Sequence, residues 1–549
     1  MSKKAIIIGS GFGGLSLGIR LQAMGFETTI LEKLDKAGGR GYQRVATVEG
    51  IEGEFKFDMG PTVLTVPHFY EEIFSLQKGG KFAPDYTPES IERWEEIRSS
   101  NHENHKTDGA SPTYSTTNNT QKYANLVPIF PFYRIYFSDG TFFDYDGDYQ
   151  HTIDQILALS GPEDVEGFNK FSKEASKVFQ RGFIELGYTY FGDPWSMLKL
   201  IPEFLKMDIV RSLFSYTTKF FKSEKIRLLF SFETLLLGGN SFSVPAIYVL
   251  VHFVEKSWGV HYSMGGTGNL VKGLVKKYEE LDGVVKYNSE VETIITEGKT
   301  ATGVKLKNGE TITADLIISN ADYANTYMKL LDKAPKLINS DFKVKKLTNY
   351  SMSLVVVYFA FKKDPTNDLG KDLRHHNIIL GPDFRAELKD IFNRHELTEE
   401  YSQYLHVPTI TDPSLAPEGY HTAYTLICVP NLEKEKQDWP KIEESFVENI
   451  MKVLDEKGFI PNLRERLVYK SFVTPKYFEN TLNLHLGSGF GVTPLFRQSA
   501  FFRPHNRSED IKGLYLVGGS TLPGSGTPAV MMSAKITARE IAKDFGIEV

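Results

Sequence analysis

The chain has 549 residues, 41% of them hydrophobic, and a formal net charge of −6. That length implies two or more lobes of about 100 to 200 residues each, and the acidic balance excludes the basic stripe of a nucleic-acid binder. One cysteine, Cys428 in "YTLICVPN", excludes an intrachain disulfide and reads as a strand thiol.

Lys3 and Lys4 precede an apolar run, Ala5 to Ile8, as in a signal peptide. Gly9, Gly11, Gly13 and Gly14 interrupt it and no small-residue cleavage site follows, so mature protein is expected there. The same stretch has the βαβ pattern: strand Ala5 to Ile8, helix from about Gly13 to Met24 stopped by Gly25, and strand Glu27 to Glu32. Gly9, Gly11 and Gly14 spell G-x-G-x-x-G between strand and helix, which allows a tight turn and close backbone approach to a pyrophosphate. Glu32 ends the second strand near the ~20-residue spacing at which a carboxylate takes ribose hydroxyls. It would repel a 2′-phosphate, which disfavours NADP.

"FKFDMGPTVL" and "PFYRIYFSDGTFFDY" read as further sheet. Between them, at about residues 80–125, "RSSNHENHKTDGASPTYSTTNNTQKYAN" is polar and aperiodic, as in a mobile surface insertion. Its His102 and His105 lack the partners a metal site requires, and no metal is expected. From about His151 to Trp258 the periodicity is helical. There Trp195, Met197, Leu198, Leu200, Ile201, Phe204 and Leu205 interleave with Lys199, Lys206, Arg211, Lys219, Lys222, Lys225 and Arg227, a pattern suited to an interfacial membrane contact and equally to a core helix with a solvated face. No uncharged run of about 18 residues predicts a transmembrane helix.

After Gly265 come a loop and helix, strands, and a hairpin turning at Asn308 and Gly309. "SLVVVYFAF" and "HTAYTLICVPN" are strands of a second lobe. The chain closes on "LYLVGGSTLPGSGTPAVMMSAK", again strand (Leu514 to Val517), glycine loop and helix, the helix starting near Pro528. Either two cofactors are held, or the two ends meet around one.

After Glu32, "KLDKAGGRGYQ" carries the Gly-Gly-Arg signature at Gly38, Gly39 and Arg40, and "FDMGPT" follows. Together with "FETLLLGGNSFSVPAIYVLVHFVEKSWGVHYSMGGTGNLVKGL", "LRHHNI", "TDPSLAPEGYHTAY", "GFGVTPLFRQSAFFRPHNRS" and the closing segment, these resemble the bacterial and fungal carotenoid desaturases, most closely the phytoene desaturases, of the flavin amine oxidase-like superfamily. The resemblance implies an α/β fold: a Rossmann-like FAD-binding domain of the GR2 type, a mixed-sheet substrate domain and a helical membrane-associating region. The expected boundaries are 1–75, 259–330 and 506–549 for the FAD-binding domain, 76–150 and 331–505 for the substrate domain, and 151–258 for the helical region.

It further implies that FAD is the cofactor and joins both ends of the chain. Gly9, Ser10, Gly11, Gly13, Gly14, Glu32, Lys33, Gly39 and Arg40 would hold ADP and pyrophosphate. Gly60, Pro61 and Thr62 would lie near the flavin, Val291 would meet adenine through its backbone, and Gly518, Gly519, Ala529, Val530 and Met531 would contact ribityl and isoalloxazine. The substrate would be phytoene or a related C40 polyene, with oxygen or a quinone as electron acceptor. At ~0.8 kcal/mol per buried carbon, such a hydrocarbon has on the order of 30 kcal/mol favouring the bilayer over water. A cytoplasmic protein docked peripherally on a lipid surface is therefore expected.

The simplest chemistry is hydride loss from an allylic carbon to the flavin with loss of a neighbouring proton. No residue pattern dictates a general base, so the catalytic residues stay unassigned. Arg134 is a candidate for the substrate pocket, with a structural ion pair as the competing reading; His375 and His376 read mainly as a hydrogen-bonded structural pair. Many relatives have Thr-His-Pro-Gly where this chain has Thr521, Leu522, Pro523 and Gly524, so no catalytic role is carried onto Leu522. Ser263 and Met264 in "YSMGG" are a second departure from the relatives' pattern. The rival readings are a later desaturase or oxidase, a carotene isomerase or saturase, and a flavin-free isoprenoid-binding protein of the GDP dissociation inhibitor type. Both ends of the flavin site are intact, which disfavours the last.

Overall fold

The computed structural model describes residues 3–82, 118–332, 334, 340 and 342–549. His102 and His105, with most of the polar insertion, lie outside the described residues.

Ala5, Ile6, Ile7 and Ile8 are all buried, so the strand Lys4–Ile8 is covered on both faces, as an interior parallel strand requires. It pairs in parallel with Glu27–Leu31 on one side and Leu316–Ser319 on the other. Leu514–Leu516 and Val284–Lys286 complete a five-stranded parallel sheet at its two edges. The helix Phe12–Ala23 covers this sheet and packs against Thr267–Glu280 and Thr527–Phe545. The first and last glycine-rich segments thus belong to one sheet although they stand at opposite ends of the chain.

A second, seven-stranded sheet runs in the order Leu467–Val473, Ser353–Lys362, Tyr420–Val429, Gln403–His406, His376–Ile379, Tyr133–Tyr136, Phe142–Tyr145. His376–Ile379 and Tyr133–Tyr136 are parallel and the other neighbours antiparallel, so the sheet is mixed. In Ser353–Lys362 the two-residue period sends Val355, Val357, Phe359 and Phe361 into a core with the helix Trp439–Glu456. Leu354, Val356, Tyr358 and Ala360 enter another core with Phe55 and Phe57. That alternation explains a strand with no polar face.

Between the sheets, the helices Tyr149–Ser160, Pro162–Phe179, Pro194–Lys206 and Leu250–Trp258 enclose aromatic packing that includes Phe168, Phe171, Phe221 and Phe230. Among the described residues, no helix is long and apolar enough to cross a membrane.

Candidate functional site

The strands Lys4–Ile8, Leu316–Ser319 and Leu514–Leu516 end side by side, and Asn320 ties the ends together. Its backbone N–H donates to the Ile8 carbonyl at 2.9 Å and its side-chain amide to the Val517 carbonyl at 3.0 Å. A Cβ placed on Gly13 would lie 3.2 Å from the Cα of Gly518 and 3.2 Å from the side chain of Val530. The two glycine loops are therefore neighbours. Arg40 adds a third strap: its guanidinium donates to the Gly489 carbonyl at 2.9 Å and stands beside Gly519. Burial draws the Arg40 pKa down, while nearby Asp322 opposes that shift.

These loops border one cavity of about 460 Å³. Part of its wall is glycine backbone and charge; another part is apolar, from Leu354, Val356, Ile378, Leu380, Phe384 and Leu426. Two helices begin at the cavity, Phe12–Ala23 and Thr527–Phe545. Neither has a side-chain cap or an acidic residue in its first turn. Their free N–H groups and positive dipole ends favour an anion or an electron-rich group. The buried Thr527 hydroxyl has no hydrogen-bond partner among the described residues.

Glu32 is 4% exposed and already oriented: it accepts from the Ser10 N–H at 2.9 Å, the Ser10 hydroxyl at 2.6 Å and the Leu34 N–H at 2.9 Å. Lys33 stands 3.9 Å from Glu290, and burial draws its pKa down. Asp58 is a buried carboxylate on the wall, bonded by the Gln43 amide at 3.1 Å. Burial pushes it up to about 6 against the pull of hydrogen bonds from Thr267, Gln43, Gly268 and Tyr262.

Most residues singled out from sequence line this cavity. Gly9, Gly11, Gly13, Glu32 and Lys33 come from the first βαβ unit, Gly39, Arg40, Gly60, Pro61 and Thr62 from the segments after it, and Val291, Gly518, Gly519 and Val530 from the rest of the chain. Ser10, Gly14, Ala529 and Met531 stand behind the wall. Ser10 holds Glu32, Met531 is core, and Gly14 is a packing glycine whose Cβ would overlap the Gly9 carbonyl. The thiol of Cys428, in Tyr420–Val429, reaches the wall, and burial pushes its pKa up, which keeps it a neutral thiol.

Arg134 is not brought to the cavity. It makes a two-point bond with Asp144 at 2.7 and 2.6 Å and another with Asp372 at 2.7 Å, the ion-pair alternative. His375 and His376 are buried and bonded through Nδ1 to Thr411 and Tyr404, each at 2.7 Å. His406 joins them, its Nδ1 3.2 Å from that of His376, and burial holds all three imidazoles neutral. Leu522 is buried away from the wall.

Sequence reasoning missed the residues that hold the closing loop. The fully buried Arg503 donates to the carbonyls of Thr521 at 2.8 Å and Gly519 at 2.5 Å, and Asn506 bonds Ser533 at 3.0 Å and Thr537 at 2.9 Å. "RPHNR" is visible as a motif, but nothing in its spacing says that it grips a loop twenty residues on.

The family of flavin containing amine oxidoreductases matches residues 12–542. The chain belongs to that family. It is a FAD-dependent oxidoreductase. A phytoene desaturase (lycopene-forming) of Paracoccus sp. is 38% identical over 99% of this chain and 98% of its own. A phytoene desaturase (neurosporene-forming) of Cereibacter sphaeroides is 35% identical over 98% of this chain and 94% of its own. Among solved structures, an oxidoreductase from Methanosarcina mazei superposes with a TM-score of 0.58 at 18% identity, over 97% of this chain and 99% of that one, a likeness of fold.

The residues present fit a flavin dinucleotide. At Gly14 and Gly60 a Cβ would overlap backbone carbonyls, of Gly9 and Arg40, so these loops pack as bare backbone beside the cavity. The uncapped helix starts and the unpartnered Thr527 hydroxyl supply donors for phosphate and ring oxygens. Glu32 supplies the carboxylate that a ribose diol requires.

Proposed function

We propose that this enzyme is a phytoene desaturase that introduces double bonds into phytoene to give lycopene-type polyenes. The observation that carries the reading is the apolar wall of Leu354, Val356, Ile378, Leu380, Phe384 and Leu426, which continues the same cavity as the glycine loops with only a few polar side chains, such as Glu387 and Gln403, among them. The 38% identical lycopene-forming relative supports the substrate class.

In this reading Gly9, Ser10, Gly11, Gly13, Gly14, Glu32, Lys33, Gly39, Arg40 and Val291 hold the ADP half of FAD. Gly60, Pro61, Thr62, Gly518, Gly519 and Val530 surround its ribityl chain and ring, and Ala529 and Met531 support that wall from behind. Bound FAD supplies a two-electron acceptor, reoxidised by oxygen or a quinone. The protein's share is to align an allylic carbon along the apolar wall, exclude water, and present the amino terminus of Thr527–Phe545 to the developing negative charge.

Delivery of so insoluble a substrate calls for peripheral contact with a membrane. The helix Pro194–Lys206 buries Met197 and Phe204 and turns Trp195, Leu198 and Leu205 outward, exposed by 70%, 50% and 61%. Exposed Lys199 and Lys206 share that helix, and the turn Ala500–Phe502 beside it exposes Phe502. Apolar anchors among lysines suit an anionic lipid surface.

Expression in cells that accumulate phytoene, followed by pigment chromatography, tests the activity. Red lycopene is expected, and the peaks present count the desaturation steps. Unchanged phytoene beside altered lycopene would replace this reading with a later desaturase. In vesicle sedimentation, Trp195→Ser with Leu205→Ser should lower the bound fraction about tenfold while leaving the flavin spectrum unchanged; undiminished binding would remove this helix from the membrane contact.

A further inference from the structure

Glu233 and Glu255 are two carboxyl groups inside the protein, 4% and 1% exposed, on elements that meet beside the cavity. Glu233 lies in the turn Phe232–Leu237 and Glu255 on the helix Leu250–Trp258. Phe232, Leu235, Val251 and Glu255 are on the cavity wall. The turn is tied to the closing loop by a bond from the Ser525 hydroxyl to the Leu237 carbonyl at 2.9 Å. The pair therefore stands next to the segment that the proposed function places at the flavin ring.

Neither carboxyl belongs to an ion pair among the described residues. Glu255 Oε1 accepts from the Tyr133 hydroxyl at 2.6 Å. Its Oε2 is buried on the cavity side of the helix with no hydrogen-bond partner among the described residues, and Glu233 is the acidic side chain that acts on it. Two carboxylates bond to each other only if one carries a proton. Lys256, next in sequence, turns instead toward the rings of Tyr149 and Phe253. A buried carboxyl pair with no cation retains one proton and one charge, and its charged member is a base in an apolar wall.

We propose that Glu255, sharing a proton with Glu233, is the acceptor of the hydrogen that leaves the polyene as a proton. The proposal rests on the desaturase reading above. In each step one allylic C–H bond breaks with its electron pair, which passes as hydride to the flavin. In the same concerted step the neighbouring C–H bond breaks, its electrons become the second bond of the new C=C, and its proton joins the Glu255 carboxylate, so that flavin bleaching reports both transfers. The polyene loses two electrons and the flavin gains them. Burial raises both carboxyl pKa values, and repulsion between the two groups raises that of Glu233 further. This places the pair closer to neutral pH than an ordinary glutamate, as a base working near neutrality needs.

The groups facing the pair are Tyr133 from the strand Tyr133–Tyr136, with Tyr404 and His376 behind it, and His252 on the same helix as Glu255. His252 is occupied by the Tyr145 hydroxyl at 2.6 Å and is held neutral by burial. Two other buried carboxyls line the same cavity, Asp58, which burial raises to about 6, and Glu387, raised to about 7, and loss of the pH limb in Glu255→Gln separates Glu255 from them.

The test is anaerobic single-turnover bleaching of the holoenzyme's flavin by phytoene in vesicles, followed against pH. Bleaching by the native enzyme should rise with pH along a limb above the ordinary carboxylate range. Glu255→Gln should slow it about 100-fold or more and abolish the limb, with the oxidised flavin spectrum unchanged. Tyr133→Phe removes one stabilising donor and should move the limb to higher pH, a shift that a merely structural role does not produce; it serves also if Glu255→Gln fails to retain flavin. Infrared spectra of the resting holoenzyme at neutral pH should contain a protonated-carboxyl band that Glu233→Gln and Glu255→Gln each lose. Bleaching of Glu255→Gln within twofold of native, or an unmoved limb in Tyr133→Phe, overturns the acceptor role. Native enzyme whose flavin phytoene never bleaches overturns the desaturase reading instead.

Discussion

The two glycine loops share one plan, strand then loop then helix at the same sheet edge, yet they are held in different ways. The amino-terminal loop is closed mainly on its own backbone, Gly14 packing on the Gly9 carbonyl within a single turn of chain, with Glu32, at the end of the next strand, as a side-chain anchor at Ser10. The carboxy-terminal loop, Gly518 to Gly526, is held by side chains from outside it, Arg503 on Thr521 and Gly519, and Asn506 on Leu522 at 3.3 Å. A loop held by backbone is defined by spacing alone, whereas a loop held by side chains depends on whatever segment supplies them.

Breaking the first kind of support should have the larger effect. Gly14→Val places a branched side chain where the Gly9 carbonyl stands, and neither backbone can yield without tilting the helix Phe12–Ala23. Flavin affinity should fall at least 100-fold, about 3 kcal/mol, read by titrating FAD into deflavinated protein; affinity within fivefold of native would show that this loop does not approach the cofactor. Breaking the second kind removes a grip rather than inserting a wedge. Arg503→Ala leaves buried carbonyls unpaired and should cost about 3 kcal/mol in denaturant unfolding. Arg503→Lys, which keeps the charge but not the fork, should recover about half of that. A loss below ~1 kcal/mol for the alanine variant would mean that the loop holds itself.

The same contrast explains what was legible. G-x-G-x-x-G with Glu32, and the closing glycines, are short-range patterns, so the parallel sheet, the meeting of the two ends and most of the cavity wall follow from spacing and resemblance. Arg40 was visible as part of Gly-Gly-Arg, but its partner is the Gly489 carbonyl, 449 residues away. Asn320 in "ISNAD" looks like an ordinary loop residue until three strand ends converge on it. Glu233 and Glu255 lie in a stretch dominated by aromatic residues, where a buried acid cannot be told from a solvated one by period alone. Arg134 shows the opposite case: its segment leaves a substrate pocket and a structural ion pair both open, and Asp144, directly opposite it across the hairpin, takes the ion-pair role.

Asp58 sharpens the comparison by pH. It precedes the Gly60 turn, and burial raises it from 3.8 to about 6. A carboxyl raised on folding contributes stability below its unfolded value, and that contribution is lost as pH rises through the folded value. The native protein should therefore lose stability between about pH 4 and pH 6, by up to about 3 kcal/mol at 1.36 kcal/mol per unit. Asp58→Asn should flatten this part of the denaturation profile and unfold later than native at pH 8. Parallel native and variant profiles across that window would place the loss of stability with rising pH elsewhere, for example on Glu387, which burial likewise raises to about 7.

The smallest effect has the most informative sign. Thr527 opens the last helix with a buried hydroxyl that has no hydrogen-bond partner among the described residues. Thr527→Val keeps the shape and removes the desolvation cost of an unpaired donor, so flavin-free protein should become about 1 kcal/mol more stable. If the hydroxyl is a flavin ligand, the same change deletes a hydrogen bond from the complex and flavin affinity should fall about fivefold to tenfold. Stability and affinity then move in opposite directions for one atom. A variant that gains stability and keeps its affinity would show that the carboxy-terminal loop approaches the cofactor through backbone alone, which would make the two loops alike in how they bind and different only in how they are held.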